Sequence, residues 1–158
     1  DYKKLYILIH PKSYVHAIIQ FYGGMIKIVA HPTTMAIPIF NSLYTHKLKN
    51  LKIKSLDIEK LNNLNFTKIN SKKFPLVNIL KTLPNKNTLF ETVLVSANDA
   101  LVELYLIKKI KYSDITNKML SIIKNKEFVK MKYKSPKKLS DIISLSNYVS
   151  DKIYKMYN

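Results

Sequence analysis

Tyr14-Val15-His16-Ala17-Ile18-Ile19-Gln20-Phe21-Tyr22-Gly23-Gly24-Met25-Ile26-Lys27-Ile28-Val29-Ala30-His31 reads as two β-rich runs joined at a pair of glycines. Adjacent glycines supply the positive φ angles that a two-residue hairpin turn requires. Such a turn sets a register in which Tyr22 faces Met25, Gln20 faces Lys27, Ile18 faces Val29 and His16 faces His31. Alternation along each strand then gathers Val15, Ala17, Ile19, Phe21, Ile26, Ile28 and Ala30 on an apolar face, with His16, Gln20, Lys27 and His31 opposite. A lone hairpin is marginal in water, so the apolar face calls for a second layer, which the first 40 residues do not contain. We expect that layer upstream, and a chain that opens at Asp1 and enters strand-forming residues almost at once fits a fragment or processed product.

Outward from the hairpin, residues 5–9 form a short run of large apolar side chains ended by His10 and Pro11, the pattern of a buried strand inside a sheet. Residues 41–71 lose periodicity and turn rich in Lys and Asn, which predicts a connecting segment with a short strand at 64–66. Beyond Phe74 the apolar residues recur at helical spacing. A first helix over 74–83 carries Leu76, Ile79, Leu80 and Leu83 and stops at Pro84. Thr88 caps a long second helix whose stripe is Val93, Ala97, Ala100, Leu101, Leu104 and Ile107, broadened by Phe90, Leu94 and Tyr105. Ser113 or Asp114 caps a third, with Ile115, Met119, Ile122 and Ile123 inward. A polar loop over 124–138 follows, then Leu139, Ile142 and Ile143, and a fresh start at Ser146 with Val149, Ile153 and Met156. Four helices with one apolar face each imply a small bundle.

The formal charge of +17 invites a nucleic-acid reading, since clustered cations release counterions from phosphate. All 27 basic residues are lysine, however, and arginine, which grips phosphate bidentately and stacks on bases, is absent. Abundant Asn, Ile and Tyr fit an AT-rich coding bias, so the charge reads as drift on a solvated surface and nucleic acid is disfavoured as a partner. Without cysteine there is neither a disulfide scaffold nor a thiolate metal site. No apolar run approaches the roughly 20 residues that span a bilayer.

Among groups that carry chemistry, the hairpin brings His16 and His31 to one face, with His10 nearby in sequence. Two or three histidines without an acidic neighbour are too few for a metal, so no metal ligand is assigned. His16 retains the chemistry of an acid, a base or a phosphate donor. Gly23 and Gly24 are the only glycines and the hairpin explains both, which leaves no phosphate-cradling loop. Asp99 and Glu103 share a helix face better explained by solvation than by catalysis, and Met35 reads as packing material. Asn98, alone among the polar residues of the second helix, asks for a role; we expect a buried amide bonded to loop backbone.

In order, these features resemble a known family. Residues 7–22, Ile-Leu-Ile-His-Pro-Lys-Ser-Tyr-Val-His-Ala-Ile-Ile-Gln-Phe-Tyr, are similar to a block built on Ile-His-Pro-Gln-Ser with a second His three residues later. Thr33-Thr34-Met35-Ala36-Ile37-Pro38-Ile39 resembles Pro-Asp-Met-Arg-Thr-Pro-Ile, and residues 93–101 resemble a Leu-Asn-Ala-Ala-Asn-Glu helix. Phe74-Pro75 and Tyr112-Ser113-Asp114-Ile115 keep the same order. The family is that of 1-deoxy-D-xylulose 5-phosphate reductoisomerase, and the resemblance covers essentially the whole chain.

What it implies is an α+β chain: the hairpin and strand finish an α/β catalytic domain over residues 1–40, a linker runs over 41–71, and a four-helix C-terminal domain fills 72–158. The parent enzyme would rearrange 1-deoxy-D-xylulose 5-phosphate and reduce the product with NADPH to 2-C-methyl-D-erythritol 4-phosphate, in the non-mevalonate route to isoprenoids. It would use a divalent metal, Mg or Mn, and act as a homodimer in a bacterial cytoplasm or a plastid, the cytoplasm favoured. Its cofactor domain and metal ligands would lie upstream, so this chain alone would bind neither and would be inactive. His16 matches the family's second histidine and is the candidate catalytic residue; Met35 matches a methionine lining the nicotinamide pocket. Departures stand at Thr33-Thr34 for Pro-Asp, Ala36 for Arg, and Asp99 for Glu. The competing readings are a small basic helical module that binds nucleic acid or another polyanion nonspecifically, and a noncatalytic interaction domain.

Overall fold

In the computed structural model, which describes residues 2–44, 51–53, 55 and 57–157, the chain divides into two compact units. One comprises residues 7–69; the other comprises residues 1–6 together with 70–158. The predicted connecting segment falls partly on residues outside the described set, as does His46.

The 7–69 unit holds two small antiparallel sheets. Strand β1 (Leu8–Ile9) pairs with β4 (Thr67–Lys68), and β2 (Val15–Gln20) pairs with β3 (Ile26–Ala30). Between them stand α1 (Ala36–Leu43) and the single turn α2 (Ile58–Asn62), where the Asp57 side chain accepts from the Lys60 backbone N–H and pairs with the Lys60 ammonium at 3.1 Å. The strand expected at 64–66 forms at 67–68, and the residues after the hairpin form a helix, α1, that was not expected. β1 is not a buried strand: Leu8 and Ile9 are exposed, because among the described residues its sheet has two strands and no covering layer.

The hairpin forms, but its register differs by one residue from the expected one. Phe21 N–H donates to Met25 O (2.9 Å) and Gly24 N–H to Phe21 O (3.0 Å), so the loop holds three residues and ends on Gly24 at φ +83°. That is a turn closed by a left-handed glycine rather than a two-residue turn. Ile18 therefore pairs with Ile28, Gln20 with Ile26, Ile19 with Lys27 and Ala17 with Val29. A one-residue slip exchanges which side chains of the two strands share a face. One face now carries Ile18, Gln20, Ile26 and Ile28, and the other Ala17, Ile19, Lys27 and Val29. Both faces are mainly apolar, and both are exposed.

The second unit is helical and owns the core. α3 (Phe90–Leu106) is central, flanked by α4 (Tyr112–Ile122), the short α5 (Lys126–Val129) and the long α6 (Leu139–Tyr157). Val93, Ala97, Ala100, Leu101 and Leu104 of α3 meet Met119 and Ile122, Phe128, and Val149 and Ile153 from the other three. Seven of these side chains, Val93, Ala97, Leu101, Leu104, Phe128, Val149 and Ile153, are wholly inaccessible. Burying one Leu or Phe contributes about 1.5–3 kcal/mol, so this cluster dominates the unit's stability.

Four local expectations are corrected here. Residues 75–82, bracketed by Pro75 and Pro84, form a 3-10 helix rather than the expected α-helix. The expected polar loop over 124–138 folds into α5 and a 3-10 turn, Lys130–Tyr133, started by the Asn125 side chain accepting from Glu127 N–H (3.0 Å) and anchored by Phe128. α6 is continuous through Ser146, whose hydroxyl accepts from Ser96 at 2.9 Å instead of capping a new helix. Ile107 is exposed, since α3 ends one residue earlier in a Schellman motif: Lys109 N–H reaches Leu104 O (2.8 Å), Lys108 N–H reaches Tyr105 O (2.9 Å), and Lys108 sits at φ +63°. Thr88, expected as the cap of α3, stands one residue before its N-cap Leu89, its hydroxyl accepting from Phe90 N–H (3.3 Å) and donating to Glu91.

Candidate functional site

The loop between β1 and β2 opens with His10-Pro11-Lys12-Ser13, closed by Ser13 N–H donating to His10 O at 2.9 Å. Ser13 adopts φ +48°, a left-handed conformation rarely taken by residues other than glycine. Tyr14, the first residue after it, is buried. Its carbonyl accepts the His31 N–H at 3.0 Å, which ties the end of β3 to the start of β2.

Between Val15 and Ala17 the pairing shifts, because Val15 pairs with Ala30 while Ala17 pairs with Val29. His16 is the extra residue of that bulge. Bulges bend a strand and re-aim a side chain, and here the imidazole of His16 lies on that of His31, ring centroids 3.8 Å apart and planes 14° from parallel. The expected meeting of the two histidines is thus realised, through a bulge rather than through direct pairing.

Hydrogen bonds fix which nitrogen of each ring carries a proton. A carbonyl oxygen can only accept, so each ring nitrogen that touches one must be the N–H. His16 donates from Nε2 to His31 O (3.1 Å), His31 from Nδ1 to Pro32 O (2.7 Å), and His10 from Nδ1 to Asn65 O (3.2 Å). In the neutral rings the free lone pairs are therefore His16 Nδ1, His31 Nε2 and His10 Nε2. His10 does not join the pair; it tilts against Phe66 at 5.2 Å, and its Nε2 is buried without a hydrogen bond.

Met35 stands at the N-terminus of α1, just after a turn in which Thr34 N–H donates to Pro32 O (2.7 Å) and Thr34 Oγ1 accepts from Ala36 N–H (3.3 Å). Its side chain is 70% exposed while Ile37, two residues on, is buried. Packing in the described residues therefore does not account for Met35. Sequence reasoning read it first as packing material, and its exposure removes that explanation.

Elsewhere the candidates resolve into structure. Asn98 is exposed, contrary to the buried amide expected, because it lies at the edge of the α3 stripe; the buried polar group on that helix is Ser96, held by Ser146. Asp99 is exposed, and Glu103 accepts from the Tyr154 hydroxyl, which pushes the phenol above its usual range. Lys152 and Tyr148 both donate to Glu127, holding that carboxyl below its ordinary range and Lys152 above its own. Among the described residues no three His, Asp or Glu side chains gather as metal ligands. No helix among them is long and apolar enough to cross a membrane.

Comparison with known proteins places this arrangement. The family model described as the DXP reductoisomerase C-terminal domain matches residues 31–151. A 1-deoxy-D-xylulose 5-phosphate reductoisomerase of Pelagibacter ubique is 51% identical over 156 residues, 99% of this chain and 40% of the relative. One from a Sulfurihydrogenibium species is 32% identical over 130 residues, 82% of this chain and 35% of the relative. Among solved structures, the reductoisomerase of Zymomonas mobilis in complex with NADPH superposes with a TM-score of 0.79 at 22% identity, over 99% of this chain and 40% of that one. A second reductoisomerase, in complex with NADPH, fosmidomycin and magnesium, gives 0.77 at 22% identity over 95% of this chain and 37% of that one. The chain spans about two fifths of the length of the relatives it matches. By the match over residues 31–151 and the identity along nearly its whole length, this chain belongs to the 1-deoxy-D-xylulose 5-phosphate reductoisomerase family, in which it corresponds to the C-terminal part.

Proposed function

We propose that this chain is the C-terminal portion of an NADPH-dependent reductoisomerase that converts 1-deoxy-D-xylulose 5-phosphate to 2-C-methyl-D-erythritol 4-phosphate in a bacterial cytoplasm. The observation that carries the reading is the family relationship along 99% of the chain, joined to a site segment that keeps His16 in an ordered environment and Met35 exposed. Residues 1–40 would finish the catalytic domain in this reading, with 41–71 as the linker and 72–158 as the supporting helical domain.

The division of labour follows from what the described residues offer. NADPH supplies the hydride and a divalent cation polarises the substrate oxygens, but the described residues gather no ligand trio and the only two glycines serve the hairpin. In this reading the metal and the nucleotide phosphates would be held by the rest of the full-length enzyme. What this chain supplies is His16, whose free Nδ1 can accept a proton from, or once protonated donate one to, a bound phosphorylated sugar. Met35 would lay a polarizable thioether against the nicotinamide. A hairpin apolar on both faces suits a sheet covered on both sides, by the catalytic domain's own helices on one and a second subunit on the other, hence a homodimer.

Two experiments test this. The 158-residue chain alone, supplied with substrate, NADPH and Mg, should show no NADPH oxidation, whereas the full-length protein should turn over; activity in the isolated chain would contradict the assignment. His16→Gln in the full-length enzyme should lower kcat by roughly 10²-fold or more without changing the thermal midpoint, in line with the usual contribution of a positioned acid or base. Unchanged kinetics would reduce His16 to a structural residue.

A further inference from the structure

We infer that His31 is a positioning residue for His16: its ring and its main-chain carbonyl together hold the His16 imidazole in one orientation and one tautomer, aiming Nδ1 at the substrate side. This rests on the reductoisomerase reading of His16, and deepens it.

The geometry separates two restraints. His16 Nε2–H donates to His31 O at 3.1 Å, which selects the tautomer and leaves Nδ1 as the free nitrogen. That bond alone permits the ring to swing about the N–H···O line. The second restraint removes this freedom: the His31 ring covers the face of the His16 ring at 3.8 Å and 14°, so swinging one plane means driving it into the other. A positioning group must itself be fixed, and His31 is, since its Nδ1–H is bound to Pro32 O at 2.7 Å and its backbone N–H to Tyr14 O at 3.0 Å. Pro32 has little backbone freedom, because its ring locks φ. His31 is also the less exposed of the two, so the stack presents His16 outward and keeps its support inward.

Nothing else among the described contacts holds His16. It is exposed, it is the extra residue of a bulge rather than a regular ladder position, and its only described side-chain contacts are with His31. An unsupported surface histidine samples several rotamers and both tautomers. Catalysis is sensitive to displacements of about 1 Å, which can lower rates by 10²-fold. The carbonyl remains as an acceptor whatever residue stands at 31, but Nε2–H keeps meeting it only while a flat side chain at 31 holds the His16 ring in plane.

The test uses the full-length enzyme with His31→Ala and His31→Phe, and reads both kinetics and the ring nitrogens of His16 by 15N NMR. His31→Ala should lower kcat on the order of tenfold with KM changed by less than about twofold, because orientation of a reacting group acts on the transition state more than on binding. His31→Phe retains a flat ring at the same place and should recover most of that loss. In the wild-type protein the His16 nitrogens should report the Nε2–H tautomer alone; in His31→Ala they should shift toward a mixture of tautomers, and in His31→Phe return toward the wild-type pattern. Equal impairment of both variants, or an unchanged kcat and an unchanged nitrogen signature in His31→Ala, would overturn the proposal. If the wild-type protein proves not to turn over 1-deoxy-D-xylulose 5-phosphate, the functional reading fails; the nitrogen signature still decides whether His31 orders His16.

Discussion

The two units of this chain treat their apolar residues in opposite ways. In residues 70–157, α3 and its neighbours bury Phe90, Val93, Leu101, Leu104, Phe128, Val149 and Ile153 completely. In residues 7–69, Tyr14 and Ile37 are the only buried hydrophobic side chains among the described residues, while Ile18, Ile19, Phe21, Ile26, Ile28 and Val29 are exposed along the hairpin. Composition does not explain the difference, since the hairpin is as apolar as the helices. Geometry does: three long helices enclose their own core, whereas a two-stranded sheet has two faces and nothing of its own to cover either. One unit is built to be stable by itself, and the other to be completed. The hairpin unit is also where His16, His31 and Met35 lie, so the candidate site sits in the part with few buried side chains of its own.

Substitutions can sharpen or break this contrast, and the largest effect belongs to the helical core. Phe128→Ala should destabilise the helical unit by about 3–5 kcal/mol, measured as a lower denaturant midpoint of the helical signal. The matching truncation in the hairpin, Ile26→Ala at a position 58% exposed, should move that midpoint by less than about 0.5 kcal/mol. Comparable losses from the two would mean that the units share one core.

Next comes Gly24, which closes the hairpin at φ +83°. A Cβ there would meet open space, so Gly24→Ala is opposed by conformation alone, about 1–2 kcal/mol against the hairpin. Cross-strand contacts between Ile18 and Ile28 in NMR spectra should weaken, with the helical unit unaffected. Lys108 poses the mirror case in the helical unit. It occupies the left-handed position after α3, where glycine is preferred, and Lys108→Gly should raise the thermal stability of that unit by about 0.5–1 kcal/mol.

The smallest effect concerns Glu127. Its carboxyl is held below the usual range chiefly by the hydrogen bond from Lys152, then by that from Tyr148. A lowered folded-state value contributes stability above the ordinary carboxylate range and loses it as pH falls through the lowered value. Lys152, raised mainly by Glu127, contributes below the usual ammonium range and loses its part as pH rises through its own raised value. Since both groups are partly exposed, the contribution stays below about 1 kcal/mol. Glu127→Gln should flatten the acid limb of the helical unit's stability profile, and an unchanged acid limb would show the pair to be inert.

How much of this was legible in the sequence depended on what each segment answers to. The α3 stripe was readable because a buried helix repeats its period over many residues, and five of its six predicted members are buried. Phe128 was not, since one aromatic among lysines carries no period; its burial is decided by α3, α4 and α6 around it. The hairpin's existence followed from Gly23-Gly24, but its register turned on whether the loop holds two residues or three, and the same Gly-Gly pair serves either. At the site, the meeting of His16 and His31 was foreseen while the bulge that produces it was not, because a bulge is a property of the paired strands. The exposure of Met35 likewise depends on α1, which the irregular composition of residues 32–38 concealed.

On this contrast the helical unit is self-sufficient while the hairpin unit awaits completion. Hydrogen–deuterium exchange on the isolated 158-residue chain tests it most directly. Amides of α3, α4 and α6 should exchange slowly, with protection approaching the global stability, while those of residues 15–20 and 26–30 exchange within the fastest, locally fraying class. Equal and high protection across both units would contradict it.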